Sequence, residues 1–102
     1  MNVMAETIEQ EMRVSGQSPV HELATAVYKG TEEGARIVLA CIGVQAVNQA
    51  VKAVAIANGK SAPTGYLLYL MPFFDMRRDA VPDKVEMTVM KLRIIKHKPS
   101  EM

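Results

Sequence analysis

The run Ala46-Val47-Asn48-Gln49-Ala50-Val51-Lys52-Ala53-Val54-Ala55-Ile56-Ala57, closed by Asn58-Gly59, restricts the fold of this chain more than any other segment. Wound as a helix, its apolar positions cover nearly the whole circumference. One polar stripe interrupts them, because Gln45, Asn48, Gln49 and Lys52 recur at i, i+3, i+4 and i+7. A helix of this kind is buried on several sides, against its own sheet and against a second subunit. Ala46, Ala50, Ala53 and Ala57 supply the small surfaces that close approach needs.

The chain of 102 residues is expected to form one domain with a single core. An apolar fraction of 49% excludes general disorder. No apolar stretch approaches the roughly 20 residues of a membrane span, so no membrane partner is expected. The N-terminus lacks a basic region followed by an apolar run, which argues against a secretory signal. Cys41 is the only cysteine and cannot form an internal disulfide, which suits a cytoplasmic location. The net charge of +1 hides an asymmetry: residues 1–35 hold two basic and six acidic side chains, residues 36–102 ten and five. A basic C-terminal portion points to an anionic partner, and a mixed solvated surface is the plainer explanation.

Residues 1–10 read as a flexible extension, 11–98 as the domain and 99–102 as a flexible tail. A short strand is expected at Glu11–Ser15. Ser18 suits the N-cap and Pro19 the first position of a helix with an apolar stripe of Val20, Leu23, Ala24 and Val27, ended by Gly30. Arg36–Ile42 is expected as a strand, and Ile37–Ile42 within it is a continuous apolar run of the kind a central strand shows. After the long helix, Lys60–Gly65 is a loop by composition. Tyr66–Met71 is a strand, the following Pro72 marks an edge or a bulge instead of a central position, and Phe73–Arg78 continues it. Asp79–Asp83 forms a turn and Lys84–Lys96 a final strand, with Met90, Leu92 and Ile94 facing one way, Lys91 and Arg93 the other.

Catalysis finds little support. His21, His97 and Cys41 have no ligand-like neighbours at zinc spacing, no glycine pattern matches a phosphate loop or dinucleotide fingerprint, and Cys41 within its strand reads as a core residue. No enzyme activity, metal or cofactor is expected. Two helix starts, at Gly16-Gln17-Ser18 and at Gly43, offer N–H groups to a phosphate, as every helix start does. The better signal is the hairpin from Asp75 to Glu86, where Arg77, Arg78 and Lys84 gather near the tip and Phe73-Phe74 lies at the base. Paired strands carrying cations can enter the groove of a duplex, although Asp75, Asp79 and Asp83 dilute the charge.

Gly43-Val44-Gln45-Ala46-Val47-Asn48-Gln49-Ala50-Val51-Lys52-Ala53-Val54-Ala55-Ile56-Ala57, then Ala62-Pro63-Thr64-Gly65 and Pro72-Phe73-Phe74, closely resembles the stage V sporulation protein S family. That family is similar in turn to the Alba chromatin proteins. The resemblance implies an α/β, Alba-like fold: β-α-β-α-β-β, two helices packed on a four-stranded mixed sheet. It further implies a homodimer with a regulatory role in sporulation or septation, and DNA or RNA bound without sequence specificity. Carried over by position, the contacts fall on Gln17 and Ser18, on Gln45 and Asn48, and on Arg77, Arg78 and Lys84, with Lys52 beside Asn48 and Gln45 on the floor between the arms. Alba proteins carry lysines in the loop before the first helix, whereas Gly16-Gln17-Ser18-Pro19 has none, which weakens affinity and its salt dependence. A protein-interaction scaffold in the sporulation or division machinery is the alternative.

Overall fold

A computed structural model describes residues 9–77 and 87–99. Its elements are β1 (Glu9–Val14), α1 (Val20–Glu32), β2 (Arg36–Cys41), α2 (Val44–Ser61), β3 (Leu67–Arg77) and β4 (Met87–His97), the expected order. The four strands form one mixed sheet in the order β1-β2-β4-β3, with β1 parallel to β2 and the other neighbours antiparallel. β2 is the inner strand that its apolar run predicts, buried from Ile37 to Cys41. Both helices cover the face that carries Ile37, Leu39, Cys41, Leu92 and Ile94. Val27 from α1 and Ala46, Ala50, Val54 and Ala57 from α2 complete the core.

The element ends differ from the sequence-based expectations for local reasons. β1 starts at Glu9, two residues before the predicted Glu11 and inside the expected extension, because Glu9 and Gln10 still pair with Arg36 and Ile37. Ser18 does not cap α1. Its Oγ accepts the Ser15 N–H at 2.9 Å, and Pro19, whose carbonyl accepts the Leu23 N–H at 3.0 Å, is the capping position. Gly30 lies within α1 instead of ending it. A Cβ there would come within 2.5 Å of Ile37 Cδ1, so this glycine sets how closely α1 seats on β2. The chain leaves α1 at Gly34, whose φ of 84° is the left-handed conformation that favours glycine.

α2 runs through Asn58-Gly59 to Ser61, beyond its expected end. Asn58 does not stop the helix because its Oδ1 accepts the Leu68 N–H at 2.9 Å, tying α2 to the start of β3. The predicted Lys60–Gly65 loop is largely the end of α2 and a 3-10 turn, Ala62–Thr64. Buried Ser61 closes it, donating from Oγ to the Tyr66 carbonyl at 3.0 Å. β3 passes through Pro72 without interruption, opposite Leu92, and is tolerated there because β3 is an edge strand.

Candidate nucleic-acid interface

The strand registers determine which segments share an end of the sheet. Val14 lies beside Cys41, Cys41 beside Met90 and Met90 beside Phe74, so these four residues form one row across the sheet. The loop after β1, the Gly43 turn into α2 and the outer part of the β3–β4 hairpin all follow from that row. They therefore stand at one end of the molecule.

At this end the loop is closed tightly. The Ser18 N–H donates to the Ser15 carbonyl at 3.1 Å and the Gln17 N–H to Ser15 Oγ at 3.1 Å. Gln49 donates from Nε2 to the Ser18 carbonyl at 2.8 Å and so ties the loop to α2. A Cβ on Gly16 would lie 2.7 Å from Gln45 Cβ, so only glycine lets the loop approach α2 this closely. Gln17 and Gln45 are exposed around that contact, with Ser18 half-buried between loop and helix. Asn48 and Lys52 follow on successive turns of α2, both exposed. Gln49 belongs to the predicted stripe but faces inward as an anchor. Its spacing on the helix gave no sign that its partner would be a loop carbonyl 31 residues away.

The N-cap Gly43 gives α2 no side-chain cap, and the first turn lacks an acidic residue that would offset the positive end of the helix. The hairpin strands extend 11 residues each, about 35 Å at roughly 3.3 Å per residue. Arg77 ends β3 at the distal end, whereas Arg78 and Lys84 lie outside the described residues. Phe73 and Phe74, adjacent in sequence, separate to opposite faces. Phe73 is covered by the Arg93 guanidinium at 4.8 Å on the helix-free face, and Phe74 turns to the helix side, 67% exposed.

Phe74 borders an apolar groove of about 580 Å³ that the sequence did not delimit. Val44, Val47, Asn48, Val51 and Met90 line it further. Val44 and Val51 are 83% and 46% exposed, so α2 shows valines on the flank that borders Met90 and Phe74 of the sheet. Cys41 forms the groove floor but is fully buried, and burial pushes its thiol pKa up, away from nucleophilic behaviour. Among the described residues no group of three or more His, Cys, Asp or Glu could hold a metal ion, and no helix is long and apolar enough to cross a membrane.

Part of the charge asymmetry of the sequence is folded against itself. Lys91 Nζ lies 3.0 Å from both Glu11 and Asp75, and Arg93 lies 3.4 Å from Glu9, all on the helix-free face. These pairs cover Val38 and Ala40, the buried outward residues of β2. Hydrogen bonding to Asp75 and then Glu11 raises the Lys91 pKa above the ordinary lysine value. Acids of the N-terminal third thus meet cations of the last strand. The link depends on strand order, which the sequence does not display.

The fold is that of Alba proteins. The structure of Alba from Thermoplasma volcanium matches with a TM-score of 0.54 and 17% identity, over 83% of this chain and 95% of that chain. The sequence matches the family of Stage V sporulation protein S (SpoVS) over residues 10–97, and the chain belongs to that family.

Proposed function

We propose that the chain is a nucleic-acid-binding regulatory protein of sporulation or septation that acts in the cytoplasm as a homodimer. The observation that carries this reading is the shared row Val14–Cys41–Met90–Phe74, from which the Gln17–Ser18 loop, the uncapped α2 start and the hairpin arm all emerge. In the proposed dimer, Val44, Val51 and Phe74 of one copy meet those of another. The arms then diverge from a common base and Arg77, Arg78 and Lys84 contact phosphates of a duplex or folded RNA. Gln17, Ser18, Gln45, Asn48 and Lys52 form the floor. A contact of this chemistry reads charge and shape, not base sequence.

Fluorescence anisotropy with a labelled 20-base-pair duplex across a salt series tests it. Affinity is expected to fall log-linearly with salt, and Arg77→Glu/Arg78→Glu is expected to weaken binding at least tenfold with a shallower slope. No binding at low salt by a folded dimer would reject it. That result would favour a protein-interaction scaffold instead, a reading supported by the neutral side chains of Gln17, Ser18, Gln45 and Asn48 beside an apolar groove.

A further inference from the structure

The opposite end of the sheet presents a second surface, on the face without helices. There the register sets Tyr69 beside Ile95 and Met71 beside Arg93, all pointing away from α1 and α2. Tyr69 is 50% exposed, Ile95 42% and Met71 40%, and the His97 ring meets Tyr69 edge-on at 5.7 Å between centroids. Arg36 opens β2 on the other side of β4 from Tyr69, about 10 Å across at roughly 4.8 Å per strand. It is exposed and makes no ion pair among the described residues. A cleft of about 470 Å³ at this end is lined in part by Gly34, Arg36, Arg93, Ile95 and Lys96.

At this end of the face Arg93 is matched by Glu9, and Arg36 is the cation with no ion pair among the described residues. Lys96 turns to the helix side, where its Nζ bonds the Thr31 carbonyl at 3.0 Å. Lys96 and Lys98 also flank the Tyr66 ring, at 4.3 and 5.7 Å. Glu9, beside Arg36 in the β1–β2 register, and Glu32 and Glu33, exposed at the end of α1, are the nearby acids. An exposed aromatic ring, an aliphatic floor and an unmatched guanidinium within one nucleotide's reach match the chemistry of unpaired bases. A base stacks on the ring while its phosphate meets the cation. A duplex cannot use such a platform, since its bases are already stacked on each other.

We propose that this face binds single-stranded nucleic acid, with a base on Tyr69 over Ile95 and Met71 and a phosphate at Arg36. The surface is distinct from the hairpin arms and does not require them. Anisotropy of a labelled ten-nucleotide oligouridylate is measured beside the 20-base-pair duplex, using wild type, Tyr69→Ala, Tyr69→Phe, Arg36→Glu and Arg77→Glu/Arg78→Glu. Tyr69→Ala should weaken single-strand binding about tenfold with its salt slope unchanged, and Tyr69→Phe should retain it. Arg36→Glu should weaken it and flatten the slope by about 0.7, the share of one phosphate contact. Neither change should alter duplex affinity, while the arm variant should lose duplex and keep single strand. The proposal is overturned if wild type does not bind the oligouridylate, or if Tyr69→Ala binds it as wild type does. It is equally overturned if Tyr69→Ala changes the sedimentation of the free protein, which would make this face a contact between copies. Failure of the duplex arm alone would count against the function proposed above and leave this surface standing.

Discussion

The two helices lie on the same sheet but end their work in different places. α1 buries Ala24, Val27, Gly30 and Thr31 and turns His21, Glu22, Thr25 and Lys29 to solvent. All its apolar demands are met within one copy. α2 buries Ala46, Ala50, Ala53, Val54 and Ala57, yet Val44 and Val51 remain exposed on its flank next to Phe74. A helix with an apolar inner face folds a domain, whereas one with a second apolar side also marks where another surface should sit.

Substitutions can break this contrast. The largest expected effect is on the floor both helices share: Leu39→Ala should cost about 3 kcal/mol by removing a fully buried side chain beneath them, measured by urea unfolding. Ala50→Leu on the inner side of α2 should cost about 1–3 kcal/mol through overpacking, because Ala50 is fully buried. Ala26→Leu on the exposed side of α1 should stay within about 0.5 kcal/mol, and an equal loss at both positions would contradict the burial described. Gln49→Ala should cost about 1 kcal/mol and raise hydrogen exchange in the Gly16–Ser18 loop, whose carbonyl tie to α2 it removes.

A further small effect is electrostatic. Lys91 has a raised pKa when folded, so its ion pairs stabilise fully below the unfolded lysine pKa of about 10.4, and that stabilisation is lost as pH climbs through the folded value. Lys91→Met should remove a contribution below about 1 kcal/mol at neutral pH, the partners being partly exposed, and reduce the alkaline slope. An unchanged slope between pH 10 and 12 would mean that Lys91 is not its source.

Periodic apolar patterns made the fold legible. The β2 run identified the inner strand, the valine and alanine positions identified α2, and the alternation after Val89 identified the faces of β4. Element ends were less legible because single residues served tertiary partners: Ser18 turned back to Ser15, Gly30 made room for Ile37, and Asn58 bonded Leu68. At the candidate site, the motif brought Gln17, Ser18 and Gln45 forward, and the fold does set them together. Sequence spacing could not show that Glu9 and Glu11 would meet Arg93 and Lys91 across β2, since charge counted along a chain ignores strand order.

Sedimentation equilibrium of the full chain and of Val51→Glu is the most direct measure of what the exposed side of α2 is for. The proposed dimer predicts that wild type sediments as a dimer at micromolar concentration and that Val51→Glu sediments as a monomer with an unchanged circular dichroism spectrum. A monomeric wild type, or a Val51→Glu variant that remains dimeric, would contradict it.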